Sequence, residues 1–265
     1  RSLLKVTVLF VAYPIMISIL FNPSGRTMYD QISRSVVVVT CTVALPKGQR
    51  IVLMGRNGSG KSTFFLHCNG ILRPKQGQIL FDHTPLRYDR AALKTLRQQV
   101  GVVFQQADDQ LFSANVAQDI SFGPLNLGLE ETIVWQRIEE VAEMCELHEL
   151  LDRPIHALSG GQKARVALAG VLAMYPDVLL IDEPTASLDP VMRRQIFRIF
   201  ERLHEEGKTL ILATHEYEVA RYWADYVVLM DRGYVLAADT PEQIFAQGDL
   251  LISLGLHEPW YTDLR

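Results

Sequence analysis

Cysteine is scarce in this sequence. Its 265 residues hold three, Cys41, Cys68 and Cys145, far apart, with no CxxC pair and no histidine at zinc-ligand spacing. That excludes a disulfide framework and a thiolate metal centre, and it fits a reducing, cytoplasmic setting. A surplus of positive charge is missing as well. With 26 basic against 30 acidic residues the net charge is -4, which leaves nothing over to neutralise a nucleic-acid backbone. No nucleic-acid partner is expected. Long apolar runs are absent apart from Val6 to Phe21, VTVLFVAYPIMISILF. This run is shorter than the ~20 residues of a spanning helix, is broken by Pro14 and is rich in β-branched residues. It reads as two sheet strands, with a membrane or signal segment or foreign sequence as the alternatives. The chain opens on Arg1 rather than Met, so its natural start is expected upstream.

What is present is a 48% apolar chain, enough for a real core. From Gly48 onward, short β-branched runs alternate with helical patterns, which predicts an α/β fold with a mainly parallel sheet. Strands are predicted at 50–54, 100–104, 178–181, 209–213 and 226–230. Between 113 and 175 no comparable strand appears. Instead Ile133, Ile138, Val141, Ala142, Met144 and Leu147 recur at helical spacing, predicting a helical insert. Gly207 reads as a helix stop, and Asp231-Arg232-Gly233 as a hairpin turn.

GRNGSGKST, residues 55–63, lies between the apolar run Arg50–Met54 and the helical stretch Phe64–Cys68. Gly55, Gly60, Lys61 and Ser62 fill every fixed position of G-x-x-x-x-G-K-[ST], in the strand-turn-helix context that pattern requires. Glycines let successive backbone N–H groups turn toward phosphate oxygens, and the helix start adds positive potential. ATP is therefore expected on Gly55, Arg56, Asn57, Gly58, Ser59, Gly60, Lys61, Ser62 and Thr63. Lys61 is expected to reach the β- and γ-phosphates, and Ser62 to hold Mg²⁺. An ordinary glycine turn is the bland alternative. Downstream, VLLIDE (178–183) is a buried strand ending in two carboxylates. Asp182 is placed to hold Mg²⁺ and Glu183 to polarise the attacking water. Strand-ending acids also serve as helix caps, but a second carboxylate followed by Pro184 argues against that. Leu158-Ser159-Gly160-Gly161-Gln162 before another helix is a second anion nest with no lysine of its own. Two chains meeting head-to-tail would let each nest close over the partner's γ-phosphate.

The ordered series GRNGSGKST, VFQQ, LSGGQ, LLIDEP, SLDP and ATHE resembles the nucleotide-binding subunit of an ATP-binding cassette (ABC) transporter, over residues 45 to 245. The resemblance implies a P-loop NTPase (RecA-like) core with an N-terminal antiparallel β subdomain and a helical subdomain. The ABC ATPase domain would span 1–245, with the helical part at 113–175, atypical sequence at 1–45 and a short C-terminal tail at 246–265. It also implies that Gln105 senses Mg²⁺ and the membrane partner, and that Ser159, Gly160, Gly161 and Gln162 act across the dimer. Ser187, Leu188 and Asp189 would form a dimer-contact loop, and His215 would touch the γ-phosphate. Taken singly, Gln105 is a loop glutamine and His215 a strand-end histidine.

The stretches LHCNGILRPKQGQI, FQQADDQLFSANVAQDISFGPLNLGL and LGLHEPW are similar to ATPases of energy-coupling-factor importers, particularly the cobalt or nickel type. That likeness implies a second ABC ATPase, identical or different, together with a transmembrane scaffold and a substrate-capture membrane protein. Its place would be the cytoplasmic face of the cell membrane. Residues 106–128 would meet the scaffold, with Leu111 and Phe112 exposed beside Asp108 and Asp109 or else packed under the loop. For the aromatic residue that stacks on adenine, spacing from Lys61 selects Tyr29 and local context selects Tyr13. Ser35–Thr40 departs from the family's second strand, which puts the adenine contact in doubt and leaves the phosphate site untouched. A soluble ABC ATPase acting on DNA or ribosomes fits less well, because Lys61 and Ser159 stand fewer than 100 residues apart and the chain holds one cassette. A small-molecule kinase has no use for LSGGQ. A vitamin importer is the alternative to a metal importer.

Overall fold

Strands buried on both faces need apolar residues at consecutive positions, and Val178–Asp182 and Thr209–Thr214 are buried at every residue. They belong to a computed structural model that describes residues 3–8, 41–185 and 188–256, of which Leu3–Val8, Cys41 and Thr42 are described by backbone alone. Among the described residues the strands are β1 (Leu3–Val8), β2 (Cys41–Pro46), β3 (Arg50–Met54), β4 (Leu80–Phe81), β5 (Thr84–Pro85), β6 (Val100–Val103), β7 (Val178–Asp182), β8 (Thr209–Thr214), β9 (Tyr226–Asp231) and β10 (Tyr234–Asp239). The helices are α1 (Lys61–Cys68), α2 (Arg90–Gln99), α3 (Val116–Leu127), α4 (Glu131–Met144), α5 (Gly160–Leu172), α6 (Pro190–Glu205), α7 (Tyr217–Tyr222), α8 (Pro241–Phe245) and α9 (Gly248–Ser253).

The six-stranded sheet runs β10-β9-β3-β8-β7-β6 and is parallel except for the β9–β10 hairpin, whose turn is Asp231-Arg232-Gly233. Registers of Met54 with Thr214, Asp182 with Ala213 and Val103 with Ile181 bring the carboxyl ends of β3, β8, β7 and β6 to one edge. In open α/β sheets ligands sit at that edge. Ile51 and Leu53 pack with Phe64 and Phe65 on one face, whereas Val52 and Met54 face α3–α6 on the other. Burying Phe64 and Phe65 stabilises the fold by about 1.5–3 kcal/mol each and pins α1 against the sheet.

The segment from Val116 to Leu172 contributes helices and no strand to the main sheet. In α4 the buried face is Val134, Ile138, Val141 and Ala142. Ile133, expected on that face, is 40% exposed, because the face is centred on Val134, one position along. Gly207, at φ 80, ends the α6 segment, with its N–H donated to the His204 carbonyl at 2.8 Å. The predicted pair of strands in Val6–Phe21 is met in part: β1 begins at Leu3, ends at Val8 and pairs antiparallel with β2. Residues 9–40, including Tyr13, Tyr29 and Ser35–Thr40, lie outside the described residues. Cys68 and Cys145 are buried.

Candidate nucleotide site

β3 runs directly into the glycine-rich loop. A Cβ on Gly55 would stand 2.4 Å from the Met230 carbonyl oxygen and 2.6 Å from Ser59 Oγ, so only glycine lets β3 and β9 close here. The loop is braced by Ser59 N–H donating to Arg56 O at 3.0 Å, and by Gly233 N–H donating to Ser59 O at 2.8 Å. The hairpin turn thus supports the phosphate loop, a link that Asp231-Arg232-Gly233 did not advertise in the sequence. Gly60, at φ 107, opens α1, and no side chain caps that end. The first-turn N–H groups are left for an anion. Arg56, Asn57, Gly58 and Ser62 are exposed, Thr63 is half-buried, and Ser59, Gly60 and Lys61 are buried. Among the described residues Ser59 Oγ has no hydrogen-bond partner.

Lys61 Nζ donates to Gly55 O at 2.8 Å and Arg56 O at 3.4 Å, and lies 3.7 Å from Glu183 Oε1. Burial lowers its pKa, with Glu183 and Asp182 opposing that shift. Asp182, at the end of β7, is pushed up by burial, against a hydrogen bond from Ser62 and the charge of Lys61. Glu183 follows at φ 46, a left-handed conformation that costs of order 1–3 kcal/mol for a side-chain residue and concentrates at active sites. Its N–H is fixed to Ala213 O at 3.0 Å on β8. Its carboxylate meets His215 Nδ1 at 3.0 Å, and the His215 side chain is 54% exposed beyond that contact. Lys61, Ser62, Asp182, Glu183 and His215 therefore converge, brought together by the adjacency of β3, β8 and β7.

The remaining predicted residues lie apart from that cluster. Gln105 is exposed just after β6 and lines a 160 Å³ cavity with Asp108, Gly160, Lys163, Leu188 and Phe200. The cavity lining includes none of residues 55–63, where Lys61 folds back onto Gly55. Asp108 binds Lys163 at 2.6 Å across the cavity mouth. Ser159 caps α5 through a reciprocal pair: its Oγ accepts from Gln162 N–H at 3.3 Å, and its own N–H donates to Gln162 Oε1 at 2.9 Å. Ser159 and Gly160 are exposed, and Gly161 and Gln162 are half-buried. Among the described residues no hydrogen bond or ion pair joins this nest to Lys61, Glu183 or His215. Asp189 caps α6 by accepting from Val191 and Met192 N–H at 2.8 and 2.9 Å, and Leu188 is half-buried beside it. Ser187 lies outside the described residues. Leu111, expected exposed, is 9% exposed and packs in the core because Asp119 accepts from Phe112 and Ser113 N–H and curls the chain inward. Phe112 is 64% exposed and stacks edge-on against Phe122 at 4.6 Å.

A P-loop fold with this carboxylate pair and a separate serine-glycine nest defines a class, and the comparisons agree. Residues 39–186 match the ABC transporter family model, so the chain belongs to that family and is an ABC-type ATPase. It is 45% identical, over 91% of its length, to the cobalt import ATP-binding protein CbiO of Rhodobacter capsulatus, covering 83% of that protein. It spans 51% of the length of another curated relative. Its fold is similar to that of cbiO1 from Clostridium perfringens, described as part of the ABC transporter complex cbiONQ, with TM-score 0.76, 36% identity and coverage of 100% and 99% of the two chains. A dimeric ATP-binding cassette, MJ0796, in a post-hydrolysis state bound to ADP and Pi, is similar at TM-score 0.71 and 25% identity over 89% of this chain and 98% of that one. Among the described residues no helix is long and apolar enough to cross a membrane.

Proposed function

We propose that this chain is the ATP-hydrolysing subunit of a membrane importer, bound at the cytoplasmic face, that couples a head-to-tail ATPase dimer to uptake of a cobalt or nickel ion. The observation that carries this reading is the split between two phosphate-binding features of one chain. Among the described residues no hydrogen bond or ion pair joins the Lys61–Asp182–Glu183–His215 cluster to the Ser159–Gln162 nest, and Lys163 beside that nest is held by Asp108. A second ATPase subunit supplies each with its complement. ATP bound on residues 55–63 uses the free N–H groups of α1 and the Lys61 ammonium, with adenine on Tyr29 or Tyr13. Mg²⁺ fits the donor set, since the Ser62 hydroxyl and the Asp182 carboxylate that it is hydrogen-bonded to would hold the ion beside the phosphates, whereas Gln105, on the separate cavity, would reach it only after the 105–110 loop moves. When bound, it neutralises phosphate charge. Glu183 orients and deprotonates the attacking water, and His215 holds the Glu183 carboxylate while its exposed edge faces the γ-phosphate. Leu188 and Asp189, with Ser187, form the dimer contact. Hydrolysis removes the γ-phosphate, separates the subunits and moves Gln105 and the 106–128 region against the transmembrane scaffold and its capture subunit. Phe112 and Phe122 are the apolar surface for that contact.

The likeness to CbiO supports a metal ion, with a vitamin as the alternative cargo. Copurifying the chain with its membrane partners and measuring ATP-dependent uptake of labelled cobalt, nickel and biotin tests the assignment. Cobalt or nickel uptake lost in a Glu183→Gln complex is the expected result. Vitamin uptake without metal uptake would replace the cargo.

A further inference from the structure

Glu216 follows His215 directly, and its side chain, only 19% exposed, is paired with α6. Thr185 Oγ1 donates to Glu216 Oε1 at 3.0 Å, and Arg193 of α6 forms an ion pair with Glu216 Oε2. The Glu216 N–H donates to Thr214 Oγ1 at 3.1 Å, which fixes the backbone at the end of β8. Thr185 is 8% exposed and lies two residues past Glu183. The contacts close a ring. Glu183 Oε1 meets His215 Nδ1, His215 leads through one peptide to Glu216, Glu216 accepts from Thr185, and Thr185 returns through Pro184 to Glu183. One member of this ring, Glu183, is the residue held at φ 46. Ala213 O binds its N–H from one side, and the Thr185–Glu216 bond anchors the chain on the other. Arg193 extends the anchor, because its N–H donates to Asp189 O at 2.9 Å and its guanidinium lies 5.9 Å from the Phe197 ring.

We propose that Glu216, acting through Thr185 and Arg193, is a positioning residue that holds the Glu183 carboxylate and His215 in their mutual geometry. Its two carboxylate oxygens are taken up by Thr185 and Arg193, so its role is in holding the segment and not in the chemistry. The proposal rests on the reading that Glu183 is the base. Both partners of Glu216 lie on the segments that follow Glu183, so losing its carboxylate releases the left-handed turn without disturbing Gly55–Thr63. Misplacing a reacting group by about 1 Å costs up to ~10²-fold in rate. The expected signature is a kcat lowered about 10–100-fold with KM for ATP unchanged.

The test measures kcat, KM and melting temperature in the full chain for Glu216→Gln, Thr185→Val, the double variant, and Thr185→Ser as the conservative control. Both single variants should lose kcat, the double should be no slower than the slower single, and Thr185→Ser should restore the rate by returning the hydroxyl. Multiplicative losses in the double variant, raised KM at constant kcat, or parental kcat in Glu216→Gln would each overturn the proposal. If Thr185→Val fails to fold, Arg193→Met takes its place in the cycle with the same expectation. Glu183→Gln run alongside separates the two readings. Parental turnover there removes the base assignment, whereas loss there with parental turnover in Glu216→Gln removes the positioning role alone.

Discussion

Gly160→Ala sets fold against function in opposite directions. Gly160 is the first residue of α5, is exposed, and a Cβ built on it meets no atom within 4 Å. Within one chain the substitution is therefore free of clash, and replacing glycine by alanine at a helical position stabilises by roughly 0.5–1 kcal/mol through the unfolded state. At this chain length that is a rise of about 1–4 °C in melting temperature. If the nest closes on a partner's γ-phosphate, the same methyl stands in the space the phosphate must enter, and overpacking costs about 1–3 kcal/mol. Each 1.4 kcal/mol is about tenfold in a constant, so ATP-driven dimerisation should weaken about 5- to 150-fold, and turnover with it. Gly161→Ala is the control, because its Cβ meets Met192 Cγ at 2.8 Å and Sδ at 3.0 Å within the same chain, so its effect appears in the melting temperature. Melting by calorimetry, dimerisation by sedimentation with ATP in a Glu183→Gln background, and phosphate release are the measurements. A Gly160→Ala protein that melts higher yet dimerises and turns over like the parent refutes the trans role. One that melts lower refutes the open space.

Gly55→Ala should abolish measurable ATP affinity and lower the melting temperature by equilibrium unfolding, since the Met230 carbonyl 2.4 Å from the new methyl is backbone and cannot rotate aside. Retained affinity for a fluorescent nucleotide would contradict that packing. Glu183→Gln should slow hydrolysis by about 10²–10⁴ with nucleotide binding intact, and an equal mixture of Lys61→Ala and Ser159→Arg subunits should regain activity that neither has alone. Asp225 accepts from Arg50 N at 2.9 Å, Nε at 3.2 Å and NH2 at 2.8 Å. Burial alone would raise its pKa, but the Arg50 bonds outweigh burial and hold it below 3.8. A depressed folded pKa stabilises above the unfolded value and is lost as pH falls through the folded one. Between pH ~5 and ~2 the parent should therefore lose melting temperature more steeply than Asp225→Asn, and parallel slopes would remove Arg50 as the cause.

The phosphate loop was legible because its requirements are local. Gly55, Gly60, Lys61 and Ser62 each answer to the backbone within a few residues, and the apolar run before them can only be a strand. Asp182 and Glu183 were legible for the same reason, at the end of VLLID. The contact of His215 with Glu183 was not, since it exists only because β8 lies between β3 and β7, and strand order leaves no mark in a strand's own residues. Arg50 and Asp225 are likewise joined across 175 positions. Leu111 and Phe112 show a different limit. Two adjacent apolar residues carry no periodicity, and the carboxylate of Asp119, several residues on, decides which turns inward.

Both halves of the proposed composite site are satisfied within one chain, but they are satisfied unequally. Ser159 accepts a hydrogen bond from Gln162 N–H, and its hydroxyl proton is uncommitted, so the capping pair can stay intact while the hydroxyl donates to a phosphate oxygen. The nest is preorganised and loses nothing by engaging a partner. Lys61 differs. Of its three N–H donors two are held, by Gly55 O and Arg56 O, and its charge faces Glu183 at 3.7 Å, so arriving phosphates compete with the very carboxylate assigned to activate water. As phosphate draws the ammonium away, Glu183 keeps His215 as its partner and its pairing with Lys61 weakens. On the proposed reading of Glu183 as the base, ATP binding would therefore leave its carboxylate held by His215 alone, with the Lys61 side open to the attacking water.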